Sequence, residues 1–254
     1  MKYGIIYLKI KGFFGLMKIG IMQPYFFPYI GYMSLIKNTD KFILLDTVQF
    51  IRHGWIERNR ILSPKDEWQY IAVPLQKKSR DTKIIDIKIN NSTDWKNKIL
   101  SQLIHYKKKA NYYYKTIEIV NEGLNIETES IVELNANVLS KVCEYIEIPF
   151  NYEIYSQMKL YIDPAKAPDE WALNICKAMG NVTEYWNPIG GLNFFDKSKY
   201  EENNIKIYFL NSHITPYEQK QGQEYFEPGL SIIDVMMFNS PEKIREMLDN
   251  YELI

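Results

Sequence analysis

From residue 17 onward, short apolar runs alternate with amphipathic stretches. Ile19 to Met22 is a short apolar run, the mark of a buried strand. Pro24 and Pro28 then interrupt regular structure, since neither can donate to a ladder. Gly31 to Lys37 follows as a short helix carrying Met33, Leu35 and Ile36, and Lys41 to Leu45 as a second apolar strand ending at Asp46. Strand, loop, helix and strand in so short a span predict a βαβ unit, and with it a parallel strand pair.

Trp68 to Val73 and Ile84 to Ile89 have strand-like patterns, the first stopped by Pro74. Asp94 is placed to cap a helix whose apolar face is Trp95, Ile99, Leu103 and Tyr106. The clearest helix runs from Ser130 to Ile146: Ser130 and Glu133 form a capping-box pattern, and Ile131, Leu134, Val138, Val142 and Ile146 follow on one face. Pro168 suits the first turn of another, with Trp171, Ile175 and Met179 inward and Gly180 at its end. Thr183 to Trp186 and Ile205 to Leu210 are predicted strands, and Ser231 to Phe238 and Pro241 to Tyr251 predicted helices. Strands and helices alternate at both ends around a helical middle segment, with no repeat or Gly/Ser linker. The expectation is one α/β domain over residues 17–254, with a mainly parallel sheet flanked by helices. Residues 1–16 are expected to be an upstream extension, because Met17 opens directly onto a strand.

Composition sharpens this picture at a few points. The chain has 254 residues, enough for one large core without disulfides or a structural metal. Lys plus Arg (31) equals Asp plus Glu (31), whereas a chain that grips a nucleic-acid backbone usually shows a basic excess. Cys143 and Cys176 lie far apart on apolar helix faces, with no Cys/His cluster. A disulfide framework and a zinc site are therefore not expected, and the reduced cytoplasm is the simplest location. No apolar run approaches a membrane span, and Lys9 and Lys11 make the opening a poor signal peptide. Twenty tyrosines and five tryptophans offer flat faces with polar handles, suited to sugar rings and bases or equally to a Tyr-rich core.

Four constellations could carry chemistry. Gln23 to Gly31 (QPYFFPYIG) sits where the first strand gives way to a helix, at the edge where open α/β sheets bind ligands. Packing explains its aromatics, Tyr25 among them, better than it explains Gln23. Asp46, Gln49, Trp55, Arg58, Asn59 and Arg60 follow the second strand, and the guanidinium forks match phosphate or carboxylate oxygens two at a time. A salt-bridge network with Asp46 and Glu57 is the structural alternative. Asn187 to Gly191 (NPIGG) places Gly190 and Gly191 after a strand, as an anion loop or simply a tight turn. His213 is followed by Tyr217, Gln219, Ser231 and Asp234, and imidazole is the side chain best suited to move a proton at neutral pH. His53 and His105 have less support.

QPYFFPYIGY (Gln23–Tyr32), the block from Asp46 to Ile61, NPIGG, and YEQKQGQEYFEPGLSIIDVMMFN (Tyr217–Asn239) together resemble the WbqC-like family of bacterial polysaccharide gene clusters. The resemblance covers all but the opening of the chain. It departs at Glu57, where the family commonly has Asn before the R-N pair. It implies a role in O-antigen or related surface-glycan assembly. Because such genes accompany amino sugars carrying glycine, it also implies aminoacyl or acyl transfer to the amine of a nucleotide-linked sugar.

In that reading Arg58 and Arg60 hold phosphate, and Tyr25 and Trp55 stack on base or sugar. Gln23 and Asn59 orient hydroxyls, and Asp46 or His213 takes the amine proton. The opening is also similar to nucleotidyltransferase-type folds that include ATP-using amide ligases. Those enzymes carry H-x-G-H where this chain has Tyr29-Ile30-Gly31-Tyr32, which argues for a pre-activated donor, an aminoacyl-tRNA among them, over ATP. The alternatives are a non-catalytic sugar-binding or scaffold protein of glycan assembly, and an ATP-using ligase.

Overall fold

The computed structural model describes residues 17–65, 67–219 and 226–254, so the expected extension over residues 1–16 lies outside the described residues. The chain opens with strand β1 (Met17–Met22), helix α1 (Ile30–Asn38) and strand β2 (Lys41–Leu44). β1 and β2 pair in parallel, so the predicted βαβ unit is present. A hairpin of β3 (Arg58–Leu62) and β4 (Trp68–Ala72) forms a separate two-stranded sheet. The helical middle comprises α2 (Trp95–Gln102), α3 (Tyr113–Leu124) and α4 (Ile131–Tyr145). Then come β5 (Tyr152–Ile154), α5 (Glu170–Met179), β6 (Val182–Pro188), α6 (Lys197–Glu201) and β7 (Lys206–Ser212). Helices α7 (Ile232–Phe238) and α8 (Pro241–Leu248) lead to β8 (Tyr251–Leu253).

The main sheet has the order β5-β2-β1-β6-β7-β8, parallel except for β8, which runs antiparallel to β7. The chain travels outward from β1 through β2 to β5, then returns to the other side of β1 as β6. The direction of winding therefore reverses between β1 and β6. Alternation along the strands feeds two cores. Phe42, Leu44 and Trp186 pack with α1, α4, α7 and α8 on one face, and Ile19, Ile21, Ile43 and Tyr185 pack with α5 and α6 on the other. Strands covered on both faces read as apolar runs, which is why β1 and β2 were predictable.

Local chemistry sets the element ends. Ser130 Oγ accepts from Glu133 N at 3.3 Å, while Glu133 Oε2 accepts from Thr128 Oγ1 at 2.5 Å, so only one arm of the expected capping box forms. Asp94 sits at the N-cap of α2 without a side-chain cap bond. Gly180 ends α5 in the left-handed region, φ 76°.

Two predicted elements are corrected. Ile84 to Ile89 is a 3-10 turn (Ile84–Asp86) flanked by isolated bridges rather than a strand, because Ile84, Ile87 and Ile89 all turn inward against the helices. The helix beginning at Pro241 stops at Leu248, and Tyr251 instead opens the antiparallel edge strand. Cys143 and Cys176 are buried, and burial pushes both thiols up.

Gly20 lets α1 lie close on the sheet. A Cβ there would stand 2.8 Å from the Phe42 ring and 3.3 Å from Leu35 Cγ, both buried. Gly20→Ala is expected to destabilise the fold by roughly 1–3 kcal/mol through overpacking, read as a lower urea midpoint at unchanged slope. An unchanged midpoint would show that Gly20 is not needed for this packing.

Candidate functional site

The loop from Gln23 to Tyr29 starts at the carboxyl end of β1 and is held from three directions. Its prolines lack N–H groups, so its inward carbonyls need donors from elsewhere. Asn135 on α4 donates to Pro24 O at 2.8 Å and to Ile56 O at 2.9 Å. Asn59 on β3 donates to Phe26 O at 3.1 Å and Phe27 O at 2.9 Å, and Ser231 Oγ donates to Phe27 O at 2.8 Å. Phe27 adopts φ 40°, an uncommon backbone state for a non-glycine residue that these bonds hold in place. Tyr32 OH donates to Gln23 O, leaving the Gln23 side-chain amide without a partner among the described residues.

A cavity of about 880 Å³ opens beside this loop, where the winding reverses between β1 and β6. Ligands of open α/β sheets bind in such crevices beyond the carboxyl ends of the strands. Gln23, Tyr25, Gln49, Asn187, Gly190 and Gly191 all line it, so six of the residues singled out by the sequence meet here. Trp171, Phe194, Phe195 and Tyr185 supply aromatic wall, and Lys166 adds an ammonium group that forms no ion pair among the described residues. Sequence reading missed Lys166, Phe194 and Phe195 as site residues. They lie in irregular segments whose composition resembles any surface loop.

The polar groups of the cavity are mostly neutral. Asn187 Nδ2 donates to Tyr185 OH at 2.6 Å, and desolvation raises the pKa of both Tyr185 and Tyr25, so their phenols keep their protons. Gln49 donates to Arg80 O at 2.9 Å, which leaves its side-chain carbonyl for a ligand. Among the described residues, no carboxylate and no imidazole lines the cavity. Three amides, two phenols and one cation on an aromatic wall suit a polyol bearing an anionic group.

The remaining predicted residues sit elsewhere. Asp46 is buried below the end of β2, where it accepts from Ser156 N at 3.1 Å and Ser156 Oγ at 2.6 Å, clamping the segment after β5. Trp55, Arg58 and Arg60 belong to the hairpin region and do not line the cavity, while Asn59 projects from the opposite face of β3 into the loop. His213 is exposed beyond β7, with Nε2 3.8 Å from Glu252, and also does not line the cavity. Tyr217 and Gln219 instead surround Asp234, which is fully buried. Tyr106 OH and Tyr217 OH each donate to its carboxylate at 2.6 Å, and Gln219 Nε2 at 2.9 Å. Gln219 also exchanges hydrogen bonds with the Glu227 backbone, donating to Glu227 O at 3.0 Å and accepting from Glu227 N at 2.6 Å.

Strand order and crevice define an α/β protein of doubly wound type, with a cavity at the switch point. Residues 23–246 match the model of the WbqC-like protein family, and the chain belongs to that family. It is similar to Uncharacterized protein Rv1507c of Mycobacterium tuberculosis, 27% identical over 231 residues that cover 87% of this chain and 93% of the relative. No solved structure matches significantly. Among the described residues no helix is long and apolar enough to cross a membrane, and no group of three or more His, Cys, Asp or Glu could hold a metal ion.

The paired glycines make a differential test. A Cβ on Gly191 would overlap Asn187 Oδ1, whereas one on Gly190 meets nothing within 4 Å. Gly191→Ala is expected to cost roughly 1–3 kcal/mol of stability. Gly190→Ala should be neutral or stabilising by up to about 1 kcal/mol. Equal urea midpoints for the two variants would contradict the assigned packing.

Desolvation pushes the Asp234 carboxyl up to about 6, against the lowering effect of its three donors. Its folded pKa therefore exceeds the unfolded value, and the native state binds this proton more tightly. The stability it contributes is complete below about pH 4 and is lost as pH rises to about 6. The unfolding free energy of the wild type minus that of Asp234→Asn should fall across this window by on the order of 3 kcal/mol and be level above it. Denaturant unfolding at several pH values checks this, and a difference that rises with pH would contradict it.

Proposed function

We propose that the protein is a transferase of surface-glycan assembly that binds a nucleotide-linked amino sugar in the switch-point cavity and joins an acyl or aminoacyl group to its amine. The observation that carries this reading is the convergence of Gln23, Gln49, Asn187 and Lys166 on one aromatic-walled crevice. Amides offer both a donor and an acceptor to sugar hydroxyls, Tyr25 and Trp171 offer faces for the ring, and Lys166 offers charge to a diphosphate. Membership of the WbqC-like family supports the setting in glycan assembly.

The chemical step needs an activated donor, an ester or thioester of an acyl or aminoacyl group. The neutral amine attacks the donor carbonyl, forming the C–N bond. The bond from carbonyl carbon to oxygen or sulfur breaks, and the proton shed by the amine ends on the departing group. The amides, phenols and ammonium group that line the cavity give the protein the part of positioning the amine and holding the sugar. The same lining favours a second reading, a sugar-binding protein of the assembly machinery without turnover.

Calorimetric titration with nucleoside-diphosphate-linked 4-amino-4,6-dideoxyglucose, followed by incubation with an activated glycyl donor and mass measurement, tests both readings. A product heavier by one glycyl group supports the transferase, and binding without that product selects the second reading. Gln23→Ala is expected to weaken binding at least about tenfold, some 1.4 kcal/mol, with an unchanged thermal midpoint. No binding, or binding indifferent to both Gln23→Ala and Asn187→Ala, would overturn the site.

A further inference from the structure

The hairpin carries a second surface that the cavity does not use. Strand alternation puts Arg58 and Arg60 on one face of β3, opposite Ala72 and Tyr70 of β4, with Trp68 further along the same face. The Arg58 guanidinium lies 4.0 Å from the centroid of Tyr70, and that of Arg60 lies 5.2 Å from Trp68 and 5.6 Å from Trp55. Trp68 and Tyr70 meet edge to face at 5.0 Å, so the face is continuous.

The lysines and arginines that pair with acids, such as Lys37, Lys199 and Arg245, have a carboxylate oxygen within 4.0 Å. Arg58 and Arg60 form no such pair among the described residues. Their Nη2 groups donate only to the backbone, Arg58 to His53 O at 2.6 Å and Arg60 to Gly229 O at 3.4 Å. Both Nε atoms are buried without a partner. The neighbouring Glu57 accepts instead from His53 N at 3.1 Å. Two guanidinium groups set beside aromatic rings, with N–H groups left over, form an arrangement in need of an anion.

We propose that this face binds a nucleoside phosphate, with phosphate oxygens on the Nη1 groups of Arg58 and Arg60, which make no hydrogen bond among the described residues, and the base stacked on Trp55, which is 37% exposed. Indole faces beside guanidinium forks fit a phosphate that carries a flat ring better than an acidic peptide or a bare anion. The ligand is either a free nucleotide or the single-stranded end of an RNA, since both present this chemistry. The site stands apart from the cavity, because no residue of the hairpin lines it.

Calorimetric titration of the full chain with uridine diphosphate, and separately with a short single-stranded RNA, tests the proposal. The expected result is a binding event that Arg60→Ala and Trp55→Ala weaken at least tenfold and that Gln23→Ala, in the cavity, leaves unchanged. Heat released by the diphosphate and lost in Trp55→Ala identifies a nucleotide site on the hairpin, and heat from the RNA alone, lost in the same variant, identifies an RNA end. The exposed Trp55 keeps the test usable if Arg60→Ala lowers the thermal midpoint. Absence of any event sensitive to Trp55→Ala or Arg60→Ala would overturn the hairpin site while leaving the cavity reading intact. Loss of binding in Gln23→Ala alone would also overturn it, by locating all nucleotide binding in the cavity.

Discussion

A buried loop with two prolines depends on hydrogen-bond donors from outside itself, and in this protein those donors are the amides of Asn59 and Asn135 and the hydroxyl of Ser231. Pro24, Phe26 and Phe27 turn carbonyls inward, where an unpaired acceptor would cost about 1–3 kcal/mol. Backbone N–H groups complete the set: Ile232 N donates to Pro28 O at 2.7 Å, and Phe26 N donates to Trp55 O at 2.8 Å. One loop thereby ties β3, α4 and the start of α7 to the end of β1. The position of Gln23 at the cavity, the seat of Trp55 beside the hairpin and the uncommon backbone of Phe27 all follow from it.

The sheet order gives that loop its value. Since β2 and β6 leave β1 in opposite directions of winding, the connections after β1 and β6 diverge to opposite faces and leave a crevice between them. The end of β1 supplies Gln23 and Tyr25, and the end of β6 supplies Asn187 and the glycine turn. Asp46 serves the same edge indirectly. By holding Ser156 it fixes the segment that follows β5 against the end of β2. A carboxylate at a strand end thus holds a neighbouring segment in place through Ser156.

Elements with a strong period or full burial were legible in the chain. The helix from Ser130, the strands on either side of the first loop and the glycine stop at Gly180 all appear where pattern placed them. Only the second strand of the hairpin was legible: Trp68 to Val73 read as a strand, while Arg58, Asn59 and Arg60 read as a polar cluster. Their alternation becomes meaningful only once β4 lies alongside, with Asn59 facing the loop and the arginines facing out. The turn at Ile84 and the edge strand at Tyr251 were missed for a related reason. Both are short and fixed by tertiary contacts rather than by local period. At the site, half of the predicted binding residues converge on one cavity because they flank three neighbouring strand ends, those of β2, β1 and β6, a relation that strand order creates and local spacing cannot express.

The tyrosine content finds its reason in the same need to satisfy buried polar groups. Tyr32, Tyr106, Tyr185 and Tyr200 are among the largest fully buried side chains, and each hydroxyl has a partner: Gln23 O, Asp234, Asn187 and Asp169 O. A phenol fills core volume as Phe does and also delivers a donor to a carbonyl or carboxylate that the fold has isolated from water. Burial raises the pKa of each of these four, so they stay neutral at any physiological pH, three as donors and Tyr185 as the acceptor from Asn187. The tyrosines therefore belong first to the core. Tyr25 and Tyr185 touch both worlds, packed against the interior on one side and bordering the crevice on the other, so the same phenols that fill the core also form the walls of the cavity.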